Sequence, residues 1–283
     1  MLGAIIGDIA GSRFEWNNIK TKNFELLSRK HCYPTDDTVM SLAVAKAILS
    51  CGRDYSKLSE NAVRYMQQLG RKYPDAGYGS RFQSWIESDD PKPYNSYGNG
   101  SAMRVSACGF AAGSLEEAAE LSAEVTKVTH SHPEGMKGAE ATAAAVYLAR
   151  TGRTVTEIKE YIDRHYYRID FRLDEIRGSY RTDISCQGSV PQALEAFYES
   201  EDFEDTIRNA ISIGGDSDTI AAIAGGIAEA HYGIPSDIRG KALPFLDKTE
   251  LSILEEFESV FQSLAPDSAF HTGGAYFDNS RPK

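Results

Sequence analysis

The sequence predicts an all-α protein, a compact orthogonal bundle of helices. Three observations carry that reading. Apolar residues recur at three- and four-residue spacing along much of the chain, alternating β-branched patterns are scarce, and Ala- and Gly-rich runs such as 139–145 and 221–226 indicate helices packed with close backbone approach. With 283 residues and 41% hydrophobic content the chain can bury a large core, and it is expected to form one domain over 1–283.

Taken in order, the opening Met1-Leu2-Gly3-Ala4-Ile5-Ile6-Gly7 is apolar but has no basic leader, and Asp8 interrupts it. Neither a signal peptide nor a membrane span is expected, so the cytoplasm is the default compartment. Thr35-Asp36-Asp37-Thr38 opens an apolar, small-residue helix over 39–49. Gly77-Tyr78-Gly79-Ser80 and the stretch 91–100, rich in Pro, Asn, Ser, Tyr and Gly, read as loops, and a helix is expected to begin at Ala102-Met103-Arg104. Helical periods follow over 115–128, 135–149, 190–198 and 203–213. Asp216-Ser217-Asp218-Thr219 then opens another small-residue helix over 220–232, and a last period spans 253–264. Residues 267–283 lack a helical period and read as a packed or partly ordered tail.

A net charge of −11 and a pI near 5.1 argue against a general electrostatic grip on nucleic acid or anionic membrane, while leaving room for a local basic pocket. Cys32, Cys51, Cys108 and Cys186 lie far apart without metal or redox spacing and read as reduced, mostly buried small residues.

The two acidic helix starts, almost the whole chain apart, read as halves of one metal site. Each has a capping alternative, because Asp or Thr at an N-cap satisfies orphan backbone N–H groups and suits the helix dipole. One cap needs one side-chain oxygen, however, and each turn offers three or four. Four carboxylates in two tight groups repel one another unless cations lie between them. Hard oxygen donors without Cys or His favour magnesium, manganese or calcium over zinc or copper. The second turn is no EF-hand, since the acids stop at Asp218 and a helix follows at once. A haloacid-dehalogenase-type phosphatase motif also fits poorly, with Gly214-Gly215 in place of an apolar strand and Thr219 one position early.

The loops can bring backbone N–H groups and a helix start to a phosphate, although most Gly-rich loops are only turns. His130-Ser131-His132-Pro133 places two imidazoles at a loop-to-helix junction without a third soft ligand, so zinc is not expected and His132 reads as a capping group.

Six ordered motifs together resemble the ADP-ribosylglycohydrolases: Gly7-Asp8-Ile9-Ala10-Gly11-Ser12-Arg13-Phe14-Glu15, the Thr-Asp-Asp-Thr turn, Gly98-Asn99-Gly100-Ser101-Ala102-Met103-Arg104, Thr129-His130, Gly188-Ser189-Val190-Pro191, and Gly214-Gly215-Asp216-Ser217-Asp218-Thr219. The resemblance runs from residue 3 to about residue 235. It implies an all-α hydrolase with two magnesium or manganese ions at its centre. Thr35, Asp36, Asp37, Asp216, Asp218 and Thr219 would be the metal ligands, with Asp36 and Asp37 also in catalysis. It further implies that Gly77, Tyr78 and Gly79, with Ser96, Tyr97, Gly98, Asn99, Gly100 and Ser101, hold the diphosphate and neighbouring ribose, Tyr97 lining the nucleotide cleft and His130 near the ligand. Ile184 matches an apolar wall residue of the adenine pocket only loosely and is not carried over.

By the same resemblance Glu15 is the acid–base residue, since serine-type members carry a Glu after the same Gly-Asp-x-x-Gly-Ser opening. On its residues alone it reads as a surface glutamate beside Trp16. Cleavage through an oxocarbenium-like state calls for a carboxyl group to protonate the leaving oxygen or activate water. O-linked acceptors such as serine or O-acetyl-ADP-ribose are therefore favoured, with arginine and nucleic-acid ends left open. The implied partner is an ADP-ribosylated protein or small-molecule conjugate, and the chain is expected to be a monomer. Two alternatives stand: an inactive ADP-ribose-binding relative, and a metal-dependent phosphate or diphosphate hydrolase acting on a nucleotide-like substrate.

Overall fold

Fourteen α-helices account for the fold in a computed structural model that describes residues 1–262. In chain order they are α1 (Leu2–Ser12), α2 (Asp36–Cys51), α3 (Leu58–Lys72), α4 (Ser80–Glu87), α5 (Ser106–Ala111), α6 (Leu115–Thr126) and α7 (Pro133–Arg150). The chain continues through α8 (Val155–His165), α9 (Leu173–Ile176), α10 (Cys186–Tyr198), α11 (Phe203–Ser212), α12 (Ser217–Tyr232), α13 (Ser236–Ala242) and α14 (Lys248–Phe257), which runs into a π-helical turn at Glu258–Gln262. No β-strand occurs among the described residues; Gly98 and Ser185 form one isolated antiparallel bridge. No described helix is long and apolar enough to cross a membrane. The tail at 267–283 and the end of the expected 253–264 helix lie outside the described residues.

The centre of the bundle is α1 against α12. Every residue of α1 is buried, so the helix lacks a polar face and its period was hidden in the sequence. Gly3, Gly7 and Gly11, four residues apart, form one stripe that lies on the backbone of α12. A Cβ added at Gly7 would sit 2.0 Å from the Ala221 carbonyl oxygen, and one at Gly11 would sit 2.5 Å from the Asp218 Cα. This contact brings the end of α1 to the start of α12. Gly7→Ala gains about 1 kcal/mol of helix propensity, but the overlap is with backbone that cannot step aside. A net loss of about 2–3 kcal/mol is therefore expected in denaturant unfolding. A midpoint at or above that of the parent protein would mean that the two backbones do not touch.

Helix starts differ in two places from the sequence reading. The helix expected at Ala102 is a 3₁₀ turn at Asn99–Ser101 followed by irregular backbone, and α5 begins only at Ser106. The helix expected over 39–49 begins three residues earlier, so Asp36 and Asp37 lie in its first turn. Two amphipathic helices, α3 with Leu58, Ala62, Met66 and Leu69 buried and α8 with Ile158 and Ile162 buried, were not among the predicted elements. The four cysteines are unpaired, and three are buried.

Candidate active site

Asp8 organises the first acidic turn from below. It is fully buried on α1, where Oδ2 accepts the Thr35 and Thr38 backbone N–H groups at 2.9 and 3.0 Å and Oδ1 accepts the Thr35 hydroxyl at 2.6 Å. The Thr38 hydroxyl also donates to Oδ2. Thr35 itself is the N-cap of α2, accepting from the Asp37 N–H at 3.4 Å. The first turn of α2 is thus capped by Asp8 and Thr35, without Asp36 or Asp37. At α12 the N-cap residue is Asp216, and its side chain makes no capping bond; Oδ2 accepts instead from the Asn99 amide at 2.6 Å. Capping therefore does not account for Asp36, Asp37 or Asp216.

The α1–α12 contact gathers them. Carboxylate oxygens of Asp8, Asp37 and Asp218 lie within 4.8 Å of one another, and so do those of Glu15, Asp216 and Asp218. The two groups share Asp218. Burial, then repulsion from Asp8 and Asp218, raises Asp37 well above the usual carboxylate range. Burial, then Asp216 and Glu15, does the same to Asp218. Asp36 is pushed up to about 8 by burial and by Asp8 and Asp216. Asp216 and Glu15 are raised as well, both chiefly by burial. Asp37 Oδ1 is buried with no hydrogen-bond partner, and the Thr219 hydroxyl donates to Oδ2 of the same side chain at 3.1 Å. An orphaned carboxylate oxygen in a nest of mutually repelling hard donors fits divalent cations of the magnesium or manganese type.

These groups floor a cleft of about 520 Å³. Glu15, Asp36, Asp37, Asp216, Asp218 and Thr219 line it, as do Gly77, Tyr78 and Gly79 and, from later in the chain, Ser96, Gly98, Asn99, Gly100 and His130. Gly79 caps α4 without a side-chain bond, which leaves first-turn N–H groups for an anion in the cleft. Three of the expected residues are turned away. Thr35 faces Asp8. Ser101 is buried and donates to the Gly135 carbonyl at 2.8 Å. Tyr97, expected to line the nucleotide cleft, sets its ring edge-on to His132 with centroids 5.3 Å apart, while its carbonyl accepts the Cys186 N–H at 2.9 Å. His132 caps α7 as expected, its Nδ1 accepting from the Glu134 N–H at 3.1 Å.

His130 is held by a buried relay. The Arg104 guanidinium, a donor only, donates to the Thr129 hydroxyl at 2.7 Å, and that hydroxyl lies 2.7 Å from His130 Nδ1. The Thr126 carbonyl, the competing acceptor at 3.5 Å, already takes the Thr129 and His130 N–H groups. The hydroxyl proton thus goes to Nδ1, and Nε2 carries the ring proton on the cleft side. Burial, then the Arg104 charge, keeps the ring neutral by holding its pKa well below the usual value.

Asp8 and Arg104 stand in the family motifs of the sequence, but sequence reasoning gave neither a role in the site. Beyond its motif, the one signal for Asp8 was a lone carboxylate in an otherwise apolar run. At the cleft mouth stand the two most exposed large hydrophobics among the described residues, Trp16 at 83% and Ile184 at 67%.

A family model described as ADP-ribosylglycohydrolase matches residues 1–265. The chain belongs to the ADP-ribosylglycohydrolase family. Among curated relatives, human ADP-ribosylhydrolase ARH3 is 26% identical, with 83% of this chain and 84% of that protein aligned. ADP-ribosylarginine hydrolase Tri1 of Pseudomonas putida is 28% identical over 83% of this chain and 70% of its own length. The ADP-ribosyl-[dinitrogen reductase] glycohydrolase of Rhodospirillum rubrum is 27% identical over 80% and 78%. A solved structure titled ADP-ribosylglycohydrolase-related protein complex superposes with a TM-score of 0.67 at 23% identity, covering 92% of this chain and 95% of that one, and shows the shared all-α fold. As a member of this family of glycosidic-bond hydrolases, the ADP-ribosylglycohydrolase described here lines its cleft with buried carboxylates, Asp37, Asp216 and Asp218.

Proposed function

We propose that this chain removes ADP-ribose from a modified acceptor by divalent-metal-dependent hydrolysis of the glycosidic bond, with O-linked acceptors such as serine or O-acetyl-ADP-ribose preferred. The observation that carries it is the pair of carboxylate groups sharing Asp218, with Glu15 in one of them at the edge of the cleft. Asp37, Asp216 and Asp218 would hold the cations, with Asp36 and Thr219 completing the donor set. Bound there, the ions supply Lewis-acid polarisation of the ribose hydroxyls and a template for the reacting oxygen. Asn99 orients Asp216, and Asp8 orients the start of α2. The Gly77–Gly79 loop and the N–H groups at the start of α4 receive the diphosphate. His130 Nε2–H donates to an oxygen of the nucleotide. Glu15, with its pKa raised by burial and by Asp216, gives a proton to the leaving oxygen or takes one from water.

The leaning to O-linked acceptors rests on Glu15, because an alkoxide leaving group needs the proton more than a guanidine does. The named acceptors of the relatives differ at nearly equal identity, so the preference is tested on the protein itself. Serine-linked and arginine-linked ADP-ribosyl peptides are incubated with magnesium or EDTA, and products are identified by mass. Release of intact ADP-ribose, faster from the serine peptide and abolished by EDTA, is expected. AMP together with a phosphoribosylated peptide would instead mark a diphosphate hydrolase, and binding of ADP-ribose without turnover an inactive relative.

A further inference from the structure

Glu15 sits on none of the helices. α1 ends at Ser12 and α2 begins at Asp36, and the residues between them are irregular. Its partners Asp216 and Asp218 belong to the start of α12, reached through the turn at Gly214 and Gly215. A group doing proton transfer must be held to within fractions of an ångström, so something must tie this segment to that turn.

Asn18 does so with one side chain. Its amide nitrogen donates back to the Phe14 carbonyl at 2.7 Å and the Glu15 carbonyl at 3.0 Å, and across to the Gly215 carbonyl at 2.8 Å. Its amide oxygen accepts the Gly215 N–H at 2.7 Å. The side chain therefore pairs with both polar groups of one residue, as a neighbouring strand would, while closing on the backbone that carries Glu15. Gly215 can present both groups because the turn is left-handed, with φ of +68° at Gly214 and +79° at Gly215. Lys20, two residues on, reinforces the seam by donating to the Ile213 carbonyl and, at 3.0 Å, to the Tyr180 carbonyl.

We infer that Asn18 is a positioning residue that locks the Glu15 segment to the turn before Asp216, so that the Glu15 carboxyl and the Asp216–Asp218 pair keep one geometry. Only the proposed acid–base role of Glu15 is taken from the functional reading; the clamp itself stands on geometry.

The test uses Asn18→Ala, Asn18→Asp, Glu15→Gln and the double variant Asn18→Ala/Glu15→Gln in the full chain. Asn18→Ala should lower kcat by roughly 10-fold or more with KM little changed. In the Glu15→Gln background the same change should cause no further loss, because both act through one group. Independently of activity, hydrogen exchange at the Gly215 amide should speed up about 10-fold in Asn18→Ala. Asn18→Asp keeps the acceptor and should preserve that protection, while losing kcat because its second oxygen faces three carbonyls. A parental kcat in Asn18→Ala, an equal loss with and without Glu15, or unchanged Gly215 exchange would each overturn the inference. Should the parent protein hydrolyse no conjugate, the functional reading falls, and Gly215 exchange alone decides the clamp.

Discussion

Asp218→Ala is expected to lower turnover by at least ~10³-fold, since Asp218 is the carboxylate common to both groups and metal-derived charge stabilisation contributes several kcal/mol. A change at Asp218 is a change to both candidate ion positions at once. The same geometry predicts a second, opposite effect on stability. Without cations the carboxylates are buried and repel one another, so Asp218→Asn, which keeps the shape and removes the charge, should melt above the parent protein in EDTA. With magnesium at about a hundred times its dissociation constant, the parent gains about 2.7 kcal/mol from mass action and the variant gains little. Thermal melts of both proteins in EDTA and in magnesium check this. If the two proteins melt alike under both conditions, and Asp218→Ala still turns over, Asp218 holds no ion.

Glu15→Gln is the second large effect. Its carboxylate oxygens lie within the same 4.8 Å group as those of Asp216 and Asp218, and the side chain is half-buried at the cleft edge. As the acid–base group it should lose ~10²–10⁴-fold in rate, while ADP-ribose affinity changes little. The substitution is nearly isosteric, so a rate loss cannot be assigned to a cavity. Proton transfer and ion ligation are separated by titrating the metal: recovery of the rate at high magnesium would make Glu15 a ligand alone, whereas a loss that persists at saturation marks proton transfer. A parental rate at all metal concentrations would end the assignment.

Much of this protein was legible because its helices obey simple periods. The 115–128, 203–213 and 220–232 stretches each show an apolar recurrence near 3.6 residues, and the structure has α6, α11 and α12 there. α1 was not legible, because a helix apolar all round has no stripe to read. The loop after Gly100 was over-read, since Ala, Met and Arg are good helix formers, yet residues 102–105 are turned by the 3₁₀ segment before them.

The site divides the same way. Too many carboxylates for the capping work at two helix starts is a matter of counting donors, and the sequence by itself determined that surplus, along with the all-α class and the family motifs. Only the tertiary structure decided that Asp37 and Asp216 each come within 4.8 Å of Asp218, that Asp8 holds the start of α2, and that Asn18 ties Glu15 to Gly215. The reason is physical. A cap is a local matter of one side chain and the next three residues, whereas the cluster joins positions some two hundred residues apart. That joining depends on the glycines of α1, which let two helix backbones meet where any larger side chain would hold them apart.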